Sequence, residues 1–458
     1  MAGMNNWPWR ERAERTPFAI ALKTRELAWC WLDLQQRIDS LAAGFIQQGV
    51  SEGTGVVLRS KNSPDAVLCY LALLQAGARL LPLNPQLPQT LCEELLPQLN
   101  SDFILDLTGS PLSFTIPALS LHYAFSEKVY DWQPERIATL TLTSGSSGLP
   151  KAAAHSVAAH LSSAEGVLGL IPFTQDDSWL LSLPLFHVSG QGIIWRWLSA
   201  GATMVVAEGN MFDAVLDECS HASLVPTQLW RLLQKPVLPA KLKDVLLGGA
   251  HIPQDLTERA ERAGIRCWCG YGMTEAASTV TAKRADSTSG VGKALAGKEV
   301  RLMENEVQIR SRSLADGYWK SGELTPLSGA DGWFSTRDCG HWRGEELHIG
   351  GRLDNVFFCG GENIQPEAIE RVLLQHPEIH QAFIIPMNDI EFGQRPVAVI
   401  EVAVTLDFDS LNGWVKGKLA RFQEPVKYFR LPDELSNGGI KVSRKDITRW
   451  IHGIWVPF

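Results

Sequence analysis

Short apolar runs alternate with helical patterns between residues 55 and 272. Runs of aliphatic and β-branched residues bounded by turn residues indicate strands, whereas apolar positions three and four apart indicate helices. Because the two patterns alternate along the chain, the sequence predicts an α/β fold. Predicted strands lie at 56–58, 79–83, 102–107, 137–142, 178–183, 202–207, 222–225 and 244–247. Predicted helices lie at 63–76, from 90 onward with a capping box at 90–93, and at 155–170, 190–200, 212–219, 227–233 and 254–263.

From about residue 297 the pattern changes to shorter, more polar and β-rich segments, which predicts a separate subdomain. Two glycine-rich turns, at 350–355 and 360–367, flank a short apolar strand and indicate a domain boundary. A small α+β domain is predicted beyond it, with helices at 366–375 and 411–422 and strands at 381–386 and 396–404.

The composition is that of a globular chain with room for two or three domains: 458 residues, 45% hydrophobic and 20% charged. A net charge of −8 argues against a nucleic-acid or anionic-membrane surface and favours small-molecule partners. Neither a secretory signal nor an apolar run of about 20 residues is visible, so we expect a cytoplasmic protein without a membrane span. The eight cysteines lack zinc-site spacing. Whether the chain forms a homo-oligomer is left open.

Candidate chemistry begins with the loop after the predicted strand 137–142. Residues 143–151, TSGSSGLPK, combine glycines, hydroxyls and a lysine. Glycine lets the backbone approach an anion, N–H groups and hydroxyls donate to it, and Lys151 adds a positive charge. The lysine does not follow the last glycine directly, which excludes a Walker A loop. We predict a phosphate loop that leads into a helix near His155, with a solvated linker as the alternative.

Several ordered motifs together resemble the adenylate-forming superfamily of acyl-CoA synthetases, luciferases and peptide-synthetase adenylation domains. The phosphate loop matches at 143–151, with Ser147 in place of the usual threonine. The other matching motifs, in the family's order, are GYGMTE at 270–275, GRLD at 351–354, GGENIQPE at 360–367 and GGIKVSR at 438–444. The family commonly has Thr-Gly-Asp where this chain has Thr336-Arg337-Asp338, so Arg337 replaces a glycine.

The resemblance implies the domain organisation. Residues 1–353 would form a large N-terminal domain of doubly wound α/β sheets, with its β-rich subdomain from about 297. Residues 354–458 would form a small mobile α+β domain that rotates about a hinge at Asp354. The resemblance also implies the reaction: a carboxylate attacks the α-phosphate of ATP to give an acyl-adenylate, and CoA then displaces AMP. ATP, Mg²⁺ and CoA are therefore expected.

The resemblance further assigns roles to individual residues. Lys441 would bridge the substrate carboxylate and the α-phosphate. Glu275 would bind magnesium, and Thr274 would donate to the α-phosphate. Asp338 would accept from the ribose hydroxyls, with Arg352 donating nearby. The expected nucleotide site also includes Thr143, Ser144, Gly145, Ser146, Ser147, Gly148, Lys151, Gly270, Tyr271 and Gly272. Taken singly, Lys441, Asp338 and Arg352 would be ordinary surface charges, and Glu275 would be an acid at a helix start. Their joint match to the family's motifs favours a nucleotide site.

The acyl site is expected near residues 184–190, PLFHVSG, where His187 would meet the substrate carboxylate or serve as a structural histidine. Arg231 is predicted to pair with a second substrate carboxylate, with extension to the surface as the alternative. Gly248 and Gly249 end a predicted strand, where ligands of open α/β sheets usually bind.

Segments 7–10, 183–192 and 224–231 resemble ligases of this superfamily that act on an aromatic dicarboxylic acid, so the resemblance implies that substrate class. The alternatives are an enzyme for another aryl or medium-chain acid and a nucleotide-binding protein without catalysis.

Overall fold

The computed structural model describes residues 6–109, 114–125, 131–143, 149–207, 215–250, 252–402, 406–436 and 442–454. Its helices are Pro8–Arg15, Trp31–Gln47, Pro64–Gln75, Gln89–Gln98, Val157–Leu168, Val188–Ala200, Pro226–Leu232, Gln254–Arg262, Pro366–Leu373, Phe408–Val415, Asp433–Ser436 and Arg444–Ile454.

The strands, in chain order, are β1 (Ile20–Lys23), β2 (Ala28–Cys30), β3 (Gly55–Arg59), β4 (Arg79–Leu83), β5 (Phe103–Asp106), β6 (Ile137–Thr143), β7 (Lys151–Ser156), β8 (Ser178–Leu180), β9 (Thr203–Val205), β10 (His221–Leu224), β11 (Asp244–Leu247) and β12 (Arg266–Met273). They continue with β13 (Ser278–Arg284), β14 (Lys293–Ala294), β15 (Lys298–Met303), β16 (Glu306–Ser311), β17 (Gly317–Lys320), β18 (Glu323–Pro326), β19 (Phe334–Arg343), β20 (Glu346–Arg352), β21 (Phe357–Cys359), β22 (Glu362–Ile364), β23 (Ile379–Asp389), β24 (Gly393–Val402) and β25 (Tyr428–Arg430).

Two large sheets form the first part of the molecule. One has seven strands in the order β18-β17-β7-β6-β4-β3-β5, and the other has nine in the order β14-β13-β12-β11-β10-β8-β9-β1-β2. In the nine-stranded sheet the central strands run parallel and antiparallel strands lie at both ends. In the seven-stranded sheet β6, β4, β3 and β5 run parallel, and antiparallel pairing begins at β7. Helices and strands of both sheets join in a single hydrophobic core. Separate clusters pack on the other face of each sheet, so the doubly wound α/β prediction is confirmed.

Helix Pro64–Gln75 shows how the sequence dictates this packing. Ser63 caps the helix by accepting a hydrogen bond from the backbone N–H of Ala66, and proline occupies the first turn. All its residues except Asp65 are buried. A helix that is apolar on every side must lie inside the protein, which explains the continuous apolar run between residues 67 and 74.

A smaller β-rich part follows. Strands β15, β16, β19 and β20 form a four-stranded antiparallel sheet. The 3₁₀ turn Leu353–Asn355 then leads into a five-stranded sheet of β21 to β25, which packs with helices into an α+β unit. The rings of Trp230 and His380 are in contact between helix Pro226–Leu232 and β23, with centroids 4.3 Å apart and planes tilted by 42°. The assignment of a hinge to Asp354 stays a prediction.

The connection around the phosphate loop differs from the prediction. Residues 151–156 do not begin a helix: they form β7, antiparallel to β6, and the helix starts at Val157. Ala152, Ala153 and Ala154 favour helix intrinsically, but β6 and β17 provide hydrogen-bonding partners on both edges of the strand, and this pairing decides the outcome.

The capping box predicted at residues 90–93 is also wrong. The helix begins one residue earlier, at Gln89, directly after Pro88, and no side chain caps it. Thr90 therefore lies inside the first turn rather than before it, where a capping hydroxyl would have to be. In the part of the chain that the structure describes, no helix is both long enough and apolar enough to cross a bilayer.

Candidate active site

Two glycine turns lie side by side at the carboxyl edge of the nine-stranded sheet. Gly248 and Gly249 follow β11, and Gly270 and Gly272 lie near the end of β12, which pairs with β11 in parallel. A Cβ on Gly248 would lie 3.4 Å from the carbonyl oxygen of Gly270. At Gly272 a Cβ would lie 2.0 Å from the carbonyl oxygen of Ser278, so no other residue fits there. The two predicted turns therefore form one edge of a site.

A cluster of hydrogen bonds fixes the carboxylate of Asp338. The hydroxyl of Tyr271 donates to its Oδ2 at 2.6 Å, and Arg352 Nη1 donates to its Oδ1 at 3.2 Å. Burial and the neighbouring Asp338 raise the pKa of Tyr271 well above its usual value, so its hydroxyl stays a donor. The structure thus brings together three residues that were predicted to bind the nucleotide.

Arg337 lies beside this cluster and pairs with Asp354. Its φ of +64° falls in the left-handed region, which explains why glycine is common at this position in the family. Its Nε and Nη2 both lie 3.1 Å from Asp354 Oδ1, and Arg352 Nη2 lies 2.9 Å from Asp354 Oδ2. Two arginines therefore hold the predicted hinge carboxylate.

We expect Arg337→Gly to leave the free energy of unfolding almost unchanged, since relief of about 1 kcal/mol of left-handed strain offsets an exposed ion pair worth about 0.5 kcal/mol. If Asp354 is the hinge, release of its carboxylate should speed thioester formation about threefold in single-turnover measurements and leave adenylation unchanged. Arg343→Gly, at the exposed end of the same strand β19, is the control. Equal effects of both variants on the two half-reactions would contradict the hinge contact.

Glu275, Tyr318 and Lys151 form a second cluster. Glu275 lies in the 3₁₀ turn Thr274–Ala276, and its Oε1 accepts a hydrogen bond of 2.7 Å from the hydroxyl of Tyr318. The Nζ of Lys151 lies 4.7 Å from the centroid of the same tyrosine ring. The predicted magnesium ligand and the lysine of the phosphate loop are therefore neighbours.

The donor set around Glu275 fits magnesium delivered with a nucleotide. Within the described ranges, no group of three or more His, Cys, Asp or Glu side chains could hold a metal ion alone. Magnesium at nucleotide sites is commonly bound by one or two carboxylates, with substrate phosphates and water completing its shell. A single carboxylate beside the strand that leads to the phosphate loop matches that arrangement.

His187 precedes helix Val188–Ala200, and its ring contacts that of Phe186 at a tilt, with centroids 4.7 Å apart. The turn that carries it is tightly held: buried Gln191 donates to Thr141 Oγ1 at 3.0 Å and to the carbonyl of Leu185 at 3.1 Å. A Cβ on Gly190 would lie 2.0 Å from the carbonyl oxygen of Pro184, so the helix start packs directly on the turn. The start of the helix that His187 precedes is thereby fixed against β6.

Arg196 is a buried cation in the same helix, 2% exposed. Its Nε donates to the carbonyl of Gly192 at 2.7 Å, and its guanidinium lies 4.6 Å from the ring centroid of Trp179. Among the described residues no carboxylate lies within ion-pair distance of it. Burial lowers the pKa of Arg196 to about 9, so the group is still charged at neutral pH. A buried charge without an ionic partner is costly, which points to an anion that arrives with a ligand.

A family model described as "AMP-binding enzyme" matches residues 9–319, more than half of the chain. The chain belongs to this family. It is 54% identical to the 2-succinylbenzoate–CoA ligase of Salmonella typhimurium strain LT2, over 97% of this chain and 98% of that protein. It is 55% identical to the ligase of the same name from Escherichia coli strain K12, over 98% of both chains.

Solved structures of AMP-binding enzymes resemble the whole chain as well. An arginine-to-lysine variant of E. coli MenE with bound OSB-AMS has a TM-score of 0.93 and 52% identity, over 98% of this chain and 99% of that one. The o-succinylbenzoate–CoA synthetase of Bacillus subtilis in complex with the acyl-adenylate intermediate OSB-AMP has a TM-score of 0.87 and 25% identity, covering 96% and 97%. The same enzyme with ATP and a magnesium ion has a TM-score of 0.83 and 25% identity, covering 93% and 95%. The predicted adenylate-forming fold is confirmed.

Not every predicted site residue of this AMP-binding enzyme can be placed. Ser144, Gly145, Ser146, Ser147, Gly148 and Lys441 lie outside the described residues. Thr143 and Lys151 are described, and they face each other across the β6–β7 pair. Arg231 is exposed at the end of helix Pro226–Leu232, so the structure does not bring it into the interior where Arg196 lies.

Sequence reasoning missed Arg196 and Tyr318. A signal for Arg196 was present: it is the one charged residue in the apolar run IIWRWL, residues 193–198. A charge on a fully apolar helix is rarely buried without a partner or a function. Tyr318 had no such signal, because the 43 residues that separate it in sequence from Glu275 hide their contact.

Proposed function

We propose that this AMP-binding enzyme is a 2-succinylbenzoate–CoA ligase of menaquinone biosynthesis. It would convert 2-succinylbenzoate, ATP and CoA into 2-succinylbenzoyl-CoA, AMP and pyrophosphate. The observation that carries the proposal is the 54–55% identity to ligases of that name over nearly the full length of both chains. Membership of the family alone would leave the acid open, since one fold serves many substrates.

In the first half-reaction a carboxylate oxygen bonds to the α-phosphorus of ATP, and the bond from that phosphorus to pyrophosphate breaks. Both reactants are anions, so cations and hydrogen-bond donors must offset their repulsion. We assign Lys441 to the carboxylate and the α-phosphate, Thr274 to the α-phosphate, and Lys151 with the adjoining loop to the departing pyrophosphate. When bound, Mg²⁺ neutralises phosphate oxygens, and Glu275 would hold it.

In the second half-reaction the thiolate sulfur of CoA bonds to the acyl carbon, and the bond from that carbon to AMP breaks. Asp338 would keep the ribose in place during both steps, because the hydrogen bond from Tyr271 that orients its carboxylate does not involve the acyl group. The C-terminal domain would turn about Asp354 between the steps, taking Lys441 away from the adenylate.

The aryl carboxylate of the substrate is not the one that is adenylated, and it needs a cation of its own to offset its charge. We assign this role to Arg196 rather than Arg231, because Arg196 is buried and has no ionic partner in the part of the chain that the structure describes. Its planar guanidinium suits a carboxylate. Trp179 on one side supplies an apolar wall for the aromatic ring. His187 would meet the reacting carboxylate, and Gly248 and Gly249 would line the pocket.

A panel of acids tests the substrate. With 2-succinylbenzoate, benzoate and octanoate, we expect kcat/KM in pyrophosphate exchange and thioester formation to favour 2-succinylbenzoate by about 10³-fold or more, because the other two leave the buried cation unpaired. A similar rate with benzoate or octanoate would indicate a ligase for another aryl or medium-chain acid. Nucleotide binding without exchange for any acid would indicate a protein without catalysis. We place the enzyme in the cytoplasm, where ATP and CoA are available.

A further inference from the structure

Tyr318 connects two parts of the site that come from different segments of the chain. It lies on β17, opposite Ala153 of β7, and Lys151 is two residues before Ala153 on the same strand. Residues two apart on a strand share a face, so Lys151 and Tyr318 lie diagonally on one face of the sheet. The ring of Tyr318 faces the ammonium of Lys151 at 4.7 Å, and its hydroxyl reaches Glu275.

The backbone before Tyr318 reinforces this connection. The N–H of Ala315 donates to the carbonyl of Glu275 at 2.8 Å, and the N–H of Asp316 donates to the carbonyl of Ala154 at 2.9 Å. The segment 315–318 is therefore bonded both to the turn that carries Glu275 and to the strand that carries Lys151. A rigid element between the two groups fixes their separation.

The hydroxyl of Tyr318 can act only as a donor to Glu275. The phenol O–H is the donor in this contact, and a carboxylate oxygen of Glu275 is the acceptor. Its 2.7 Å hydrogen bond to Oε1 restricts rotation of the carboxylate and thus the direction in which the second oxygen points. The ring meanwhile attracts the lysine ammonium through its negative face.

We propose that Tyr318 is a positioning residue that holds the Glu275 carboxylate and the Lys151 ammonium at a fixed separation for magnesium and the ATP phosphates. The proposal rests on the proposed function in that ATP with Mg²⁺ is the substrate. The hydroxyl fixes the orientation of the metal-binding carboxylate, and the ring fixes the position of the phosphate-binding lysine. Removing the hydroxyl and removing the ring should therefore have different effects on Mg²⁺ and ATP binding.

Two variants separate these effects. Tyr318→Phe removes the hydroxyl and keeps the ring over Lys151, whereas Tyr318→Leu removes both. Tyr428→Phe, on β25 of the C-terminal sheet, is the matched control, because it also deletes a phenol hydroxyl, in a different sheet. The readout is the Kd of ATP by calorimetry, without any acid or CoA, in a titration of Mg²⁺ and again with EDTA.

For Tyr318→Phe we expect the Mg²⁺ concentration that gives half-maximal tightening of ATP binding to rise about tenfold, with the Kd of ATP in EDTA unchanged. Tyr318→Leu should show the same loss and, in addition, about threefold weaker ATP binding in EDTA, because Lys151 is no longer held. Tyr428→Phe should match the wild type in both measurements.

A lower Tm for Tyr318→Phe with an unchanged Mg²⁺ requirement would mean that the hydroxyl serves only folding and would overturn the proposal. Identical ATP binding by Tyr318→Phe and Tyr318→Leu in EDTA would overturn the role of the ring. A wild-type enzyme whose ATP binding ignores Mg²⁺ would instead contradict the proposed function. A normal Mg²⁺ response without activity on 2-succinylbenzoate would affect only the substrate assignment.

Discussion

Lys441→Ala is expected to reduce the rate of adenylation by on the order of 10³-fold, because the repulsion between the carboxylate and the α-phosphate then has no bridging cation. The rate of thioester formation from a preformed 2-succinylbenzoyl-adenylate should fall by less than about threefold. In that step no carboxylate approaches the α-phosphate, so there is no such repulsion for the lysine to offset. The two half-reactions are measured separately, by pyrophosphate exchange and by CoA consumption from the synthetic adenylate.

The exposed Lys416 provides the matched control, since Lys416→Ala removes the same charge from the same C-terminal region. We expect that variant to retain both half-reactions within about twofold. Equal losses in adenylation and thioester formation for Lys441→Ala would rule out a lysine that acts in one orientation of the domain and leaves in the other.

Arg196→Met is expected to lower kcat/KM for 2-succinylbenzoate by about 10²- to 10³-fold, because the aryl carboxylate would be buried opposite a thioether. The same change should leave the free energy of unfolding equal or raise it by about 1 kcal/mol, because an unpaired buried cation is replaced by an apolar side chain of similar length. Kinetics with the acid panel and urea denaturation measure the two effects. Loss of activity without loss of stability is the signature of a ligand-binding charge.

Arg231→Met is the matched control because it makes the identical change at an exposed site. It should stay within about twofold of the wild type in kcat/KM and within about 0.5 kcal/mol in stability. The reverse pattern, a large loss for Arg231→Met and none for Arg196→Met, would restore the assignment made from the sequence. A large fall in stability for Arg196→Met would instead indicate a structural arginine.

The sequence predicted elements well where local pattern and tertiary environment agree. Strands 79–83 and 244–247 were predicted with the bounds that the structure has. The start of helix Pro64–Gln75 was also predicted, since Ser63 and Pro64 carry a local signal that does not depend on the rest of the fold. Parallel strands buried on both faces read as continuous apolar runs, which made them visible.

Predictions failed where pairing with distant segments decides the conformation. Strand β7 was not predicted: we expected the loop through Lys151 to lead into a helix near His155, because the partner β17 lies more than 160 residues further along the chain. The contact of Tyr318 with Glu275 was invisible for the same reason. Arg231 was predicted because it follows a strand end and Arg196 was missed, since side-chain burial depends on packing that single-sequence patterns do not encode.

The order of the motifs predicted which residues lie together better than any single residue did. Tyr271, Asp338 and Arg352 come from separate motifs, and the structure joins them in one hydrogen-bonded cluster. Where the family commonly has glycine, Arg337 adopts the left-handed conformation and uses its side chain to contact Asp354.

The ring contact of Trp230 with His380 has a consequence for how this enzyme can be observed. The two rings belong to elements on either side of the turn Leu353–Asn355, and they lie 4.3 Å apart. Rotation of the C-terminal domain would separate them, and a tryptophan that loses a neighbouring imidazole changes its fluorescence. If the C-terminal domain turns as proposed, the contribution of Trp230 to the emission of the 16 tryptophans would change with it, and His380→Ala would give the reference signal for Trp230 without its imidazole neighbour.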